Sequence, residues 1–127
     1  MITVGELMNR DLVTAPGTMS AVDAAKLMSR RKIGSVFVLH DHHIVGIVTE
    51  SDIVRKVVGT DQDSSDFPIA TIMSAPVVGI DERRPITEAA DLMQRHGTRH
   101  LMVCNATTVV GVLSVRDLLR PVSTDDF

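Results

Sequence analysis

Aromatic side chains are nearly absent, at 2% of the chain, with no Trp and no Tyr. The core therefore cannot rest on ring packing and must be built from Val, Ile, Leu, Met and Ala. There is one cysteine, Cys104, which excludes an internal disulfide and suits a reducing compartment. A basic excess is also missing. The formal net charge is −3, which argues against a dedicated nucleic-acid binder, since such a protein carries a basic patch or stripe. No apolar run approaches the roughly 20 residues of a membrane span. Met1–Met8 lacks the basic and apolar regions of a secretory leader. These absences point to a soluble, cytoplasmic protein. What is present is a hydrophobic content of 44% over 127 residues, enough for a compact packed domain.

The chain is one pattern written twice. A slide of 65 positions lays residues 4–56 on 69–121 without a gap. Leu7-Met8 falls on Ile72-Met73, Val13 on Val78, Ala24-Ala25 on Ala89-Ala90, and Leu27-Met28 on Leu92-Met93. Gly46, Asp52 and Arg55 fall on Gly111, Asp117 and Arg120. Each copy is too short to bury a good core alone, so the copies are expected to pack about a pseudo-two-fold axis. The segment Val57–Pro68 is polar in its middle and ends in Pro, and reads as the linker. The organisation is thus repeat 1 at 1–58, a linker at 59–68, repeat 2 at 69–122 and an acidic tail at 123–127.

Both copies share one coarse reading, helix-strand-helix-strand-strand-helix, an α/β (α+β) class. A helical turn ends at Leu7-Met8 or Ile72-Met73. A brief strand follows at Leu12–Thr14 or Val77–Ile80. The next helix spans Ser20–Lys32, with an apolar face of Ala21, Ala24, Ala25, Leu27 and Met28. In the second copy it spans Pro85–His96, with Pro85 at the first helical position. Two β-branched runs, Ser35–Leu39 with Ile44–Val48 and His100–Cys104 with Val109–Leu113, read as antiparallel hairpins. The helical crossover makes the first and second strands parallel. A last helix starts near Glu50 or Val115.

Each copy closes on a Gly, two apolar residues, Thr or Ser, two variable residues and Asp: Gly46 to Asp52 and Gly111 to Asp117. This lies at a strand-to-helix junction. Thr49 or Ser114 at the N-cap with Asp three residues on resembles a capping box, with Asp in place of Glu or Gln. The same geometry suits a nucleoside. A helix start offers unpaired N–H groups, a cap hydroxyl can bond a phosphate or ribose oxygen, and a first-turn carboxylate can accept a ribose diol. The glycine permits close backbone approach. Both readings stand at this stage.

The duplicated ending, the opening Leu-Met and the helix with paired alanines together resemble the CBS (cystathionine β-synthase) domain family. The match spans nearly the whole chain apart from the linker and tail. The resemblance implies a tandem pair, or Bateman module, binding AMP, ADP, ATP or S-adenosylmethionine in two clefts between repeats, with two modules joined as a disc-shaped homodimer. No cofactor is required and no catalytic residue is implied. Carried over, one cleft would use Thr49, Ser51 and Asp52 with Met73, Val78, Thr98, Arg99 and His100. The other would use Ser114, Arg116 and Asp117 with Met8, Val13, Ile33, Gly34 and Ser35. Asp would hold the ribose and apolar side chains the adenine. Arg99 and His100 resemble a phosphate-binding pair, which favours the Asp52 cleft for phosphate.

Other features are read as structural. His40-Asp41-His42-His43 is expected at an exposed hairpin turn, without the second Cys/His group a zinc site needs. Cys104 is expected to behave as a small apolar residue on a buried strand. The expected function is a regulatory sensor acting on an unidentified effector protein; a structural dimerisation module without ligand is the alternative.

Overall fold

The computed structural model describes residues 1–61 and 63–122. The acidic tail at 123–127 lies outside them. In chain order the elements are α1 (Val4–Leu7), β1 (Thr14–Pro16), α2 (Ala21–Arg31), β2 (Ser35–His40), β3 (His43–Thr49) and α3 (Glu50–Lys56). Then follow β4 (Gly79–Asp81), α4 (Ile86–His96), β5 (His100–Asn105), β6 (Thr108–Ser114) and a 3-10 helix, Val115–Val122. They form two compact units, one of Val13–Val77 and one of Met1–Leu12 with Val78–Phe127. The α/β reading and the duplication hold. Each unit has a three-stranded mixed sheet, ordered β1-β2-β3 or β4-β5-β6. The first pair of each is parallel and the second antiparallel.

The units cut the chain differently from the sequence copies. The opening turn of the first copy, α1, belongs to the second unit. Val4 there is fully buried, and the Val4 and Gly5 amides donate to Arg84 O and Glu82 O, each at 2.8 Å. The opening turn of the second copy, a 3-10 turn at Ile69–Thr71, belongs to the first unit. Ile69 and Ile72 enter a core with Val36, Val38, Val48 and Met28. The other core joins Val4 and Met8 to Leu101, Val103, Leu113 and Met93. The two ends of the expected linker pack on the first of these cores. Val57 is fully buried at its start, and Phe67 at its end packs on the same core. The Ala21 amide also donates to Phe67 O at 2.7 Å.

Element edges follow local chemistry. Ser20 caps α2 by accepting from the Asp23 amide at 3.1 Å, so the helix begins one residue later than the sequence suggests. Pro85 sits at the N-cap of α4 with ψ 149°, one position before its expected place. Helices α2 and α4 both end on a left-handed residue, Lys32 at φ 55° and Gly97 at φ 62°. β1 lies two residues beyond the expected Leu12–Thr14. Its far edge is unpaired within the sheet, so Pro16 is tolerated at its end. The histidine turn is as expected: His40 pairs with His43, leaving a two-residue turn with Asp41 and His42 both at positive φ. Among the described residues no helix is long and apolar enough to cross a membrane.

Candidate functional site

The junction between β3 and α3 is built around one carboxylate. Asp52 Oδ2 accepts from the Thr49 amide at 2.9 Å and from Thr49 Oγ1 at 3.1 Å. Thr49 Oγ1 in turn accepts from the Asp52 amide at 3.1 Å. This is a reciprocal capping box with Asp in the acidic position. Asp52 is the one buried charged residue in the described core, at 4% exposure. Its other oxygen, Oδ1, lies 3.0 Å from Lys56 Nζ. Lys56 Nζ also donates to Ile72 O at 2.9 Å.

The second unit repeats this wiring. Asp117 Oδ2 accepts from the Ser114 amide at 2.8 Å and Ser114 Oγ at 3.1 Å. Asp117 Oδ1 lies 2.8 Å from Arg120 Nη2, which also donates to Leu7 O. Leu7 and Ile72 are equivalent under the 65-residue slide, but Arg120 and Lys56 are not. The equivalent of Arg120 is Arg55, which is exposed. The helix type explains the change of position. An α-helix brings residues i and i+4 onto one face, whereas a 3-10 helix eclipses i and i+3. α3 therefore offers Lys56 to Asp52, and the tighter helix offers Arg120 to Asp117.

The motif glycines serve the chain's own packing. A Cβ on Gly46 would overlap the Met73 thioether, and one on Gly111 would come 2.8 Å from Asn9 O and 2.7 Å from Met8 Sδ. These contacts seat each opening segment on the third strand of a sheet. Ile47 and Ser74 exchange amide–carbonyl bonds at 3.0 and 2.9 Å, as Asn9 and Val112 do at 2.9 and 3.0 Å.

The expected site residues fall in both units, and each expected cleft set draws on both. With Thr49, the exposed Ser51, Asp52 and half-buried Met73 stand Val13, Ile33, Gly34 and Ser35. Ser35 lies opposite Thr49, the Glu50 amide donates to Gly34 O at 3.1 Å, and Val13 O accepts from Phe37. With Ser114, the exposed Arg116, Asp117 and buried Met8 stand Val78, Thr98, Arg99 and His100. His100 lies opposite Ser114, and the Val115 amide donates to Arg99 O at 2.9 Å. Arg99 and His100 are thus neighbours of the Asp117 junction, in the same unit.

An open groove of about 460 Å³ runs beside this junction, lined by Ala90, Met93, Gln94, Gly97, Thr98, Arg99, Val115 and Leu118. Sequence reasoning found only Thr98 and Arg99 of this set. The rest of the groove comes from helix faces that periodicity alone assigns to packing. Cys104 is half-buried on β5, and burial, with a smaller effect of Asp81, pushes its thiol pKa up. Among the described residues no group of three or more His, Cys, Asp or Glu is placed to hold a metal.

Comparison with known proteins agrees with this architecture. The CBS domain model matches residues 4–59 and 69–123. A putative signal-transduction protein with CBS domains from Burkholderia ambifaria superposes with a TM-score of 0.91 at 32% identity, covering 99% of this chain and 97% of that one. CBS domain protein PAE2072 from Pyrobaculum aerophilum, solved in complex with AMP, superposes at 0.82 with 31% identity, covering 94% and 92%. An uncharacterized protein of Methanopyrus kandleri is 33% identical over 94% of this chain, which spans 62% of that relative's length. With both copies matched, the chain belongs to the CBS domain family, as a tandem CBS pair.

Proposed function

We propose that this chain is a non-catalytic sensor module that binds an adenosine-type ligand, AMP, ADP or ATP, with S-adenosylmethionine as a further candidate. The observation that carries the reading is the twin carboxylate. In both units one oxygen of the motif Asp is fixed by the cap, and the other faces a side chain on a flexible stem. A ribose diol needs such an acceptor. The AMP-bound relative from Pyrobaculum aerophilum supports the ligand class. Arg99 and His100 stand beside Ser114 and Asp117, so the Asp117 junction is the better equipped for phosphate. A regulatory output passes through an effector protein or an assembly. A thermal-shift panel of the four ligands tests this. Ligand at about 100 times its Kd adds roughly 2.7 kcal/mol of stability, and no shift with any of them at millimolar concentration would sink the reading.

One observation favours a second reading, a dimerisation module without ligand. Val54 and Leu119 occupy equivalent positions and are 60% and 61% exposed. Two such matched apolar side chains suit a homodimer face. Assemblies occur among relatives, one being a hexameric CBS-CP12 protein from bloom-forming cyanobacteria. The two readings are compatible. Sedimentation velocity of the chain with and without AMP separates self-association from ligand response.

A further inference from the structure

We propose that Lys56 and Arg120 are ligand-displaceable latches, each tying the motif carboxylate of its unit to the opening segment. This rests on the ligand reading above and adds how binding is felt by the chain. A carboxylate offers about four acceptor positions. In Asp52, Oδ2 takes two bonds from Thr49, and Oδ1 faces Lys56. The Asp52 side chain is only 5% exposed. A diol that donates two hydroxyl bonds therefore meets a carboxylate already engaged. The Thr49 amide cannot leave without unwinding the start of α3. Lys56 can leave, because its side chain is 43% exposed. Arg120, at 54%, stands in the same relation to Asp117.

The other end of each latch gives the displacement a consequence. Lys56 holds Ile72 O and Arg120 holds Leu7 O. Each carbonyl immediately precedes the methionine seated on the motif glycine, Met73 on Gly46 and Met8 on Gly111. Capture of the carboxylate removes the cation from that carbonyl, so occupancy reaches the backbone of the opening segment. The wiring is the same in both units although the cations sit at non-equivalent positions in the repeat. Helix type and side chain differ, yet a cation spans the same two acceptors.

The test is calorimetric titration of adenosine, which has no phosphate to engage the released cation, into the wild-type chain, Lys56→Met and Arg120→Met. Each Met variant keeps an unbranched apolar side chain but removes the competing cation. Adenosine binding at the altered site is expected to tighten by about twofold, the scale of a partly exposed ion pair. In parallel, the carbonyl ¹³C resonances of Ile72 and Leu7 are followed by NMR. In the wild type they move on adding adenosine; in the matching variant they start near the ligand-bound position. Unchanged or weaker binding in folded variants overturns the latch while leaving ligand binding intact. Tighter binding with unmoved carbonyls overturns the coupling to the opening segment. No adenosine binding by any of the three chains overturns the ligand reading and the latch with it. If Lys56→Met does not fold, Lys56→Gln and the independent Arg120 site carry the same test.

Discussion

Replacing Asp52 by Ala removes a buried carboxylate together with everything it organises. The carboxylate half of the capping box is lost, while Thr49 Oγ1 can still accept from the amide of residue 52. The Thr49 amide and hydroxyl lose a charged acceptor at 2.9 and 3.1 Å, which costs about 1.5–2.5 kcal/mol for charge-assisted bonds. The Lys56 pair adds no more than about 0.5 kcal/mol, since the ammonium is partly solvated. The expected destabilisation is therefore about 2–3 kcal/mol. Asp117→Ala removes the same bonds from a side chain 18% rather than 5% exposed, and water replaces more of them. Its expected cost is about 1–2 kcal/mol. The chain has neither Trp nor Tyr, so urea unfolding is followed by far-UV circular dichroism. The midpoint should fall in both variants, further for Asp52→Ala, with the denaturant slope unchanged. An Asp52→Ala chain within about 0.5 kcal/mol of wild type, or an Asp117→Ala chain that loses more than Asp52→Ala, would refute this reasoning.

Three further outcomes follow from the geometry. Lys32 ends α2 at φ 55°, where the equivalent position of α4 carries Gly97 at φ 62°; Lys32→Gly should stabilise the chain by up to about 1 kcal/mol and Gly97→Ala destabilise it by a similar amount, read as opposite shifts of the thermal midpoint. Gly111→Ala forces a Cβ to 2.8 Å from Asn9 O, so it should cost about 1–3 kcal/mol, with faster amide exchange at Asn9 and Val112. The Cys104 thiol pKa is raised, first by burial and then by Asp81; because thiolate is the reacting form, iodoacetamide should alkylate it more slowly than a free thiol at pH 8, with the rate still climbing at pH values where the free thiol has levelled off.

Much of the fold was legible because hydrophobic spacing encodes it. Ala21, Ala24 and Met28 recur at helical intervals and are buried together. The hairpins were marked by β-branched runs around short polar turns. Strand edges were less visible: β1 is set by pairing with Phe37, Val38 and Leu39 rather than by its own residues. The exchange of opening turns was not legible. Leu7-Met8 and Ile72-Met73 have interchangeable apolar patterns, so either sheet satisfies either turn. The expected cleft sets rest on the family resemblance, and within its own unit the hairpin sets His100 opposite Ser114. The cations facing the motif carboxylates were hidden as well. The repeat pairs Arg55 with Arg120 and passes over Lys56, and only the difference between an α-helix and a 3-10 helix shows which side chain reaches Asp52.

The central claim is that the twin motif carboxylates hold the ligand. It is tested most directly by calorimetric titration of AMP into the wild-type chain and the Asp52→Asn/Asp117→Asn double variant, with folding of both verified by circular dichroism. The double variant keeps the shape and a cap acceptor at each junction but removes both charges. The account predicts saturable AMP binding by the wild type and a loss of about tenfold or more in affinity in the double variant. AMP binding of equal strength in both chains would contradict it.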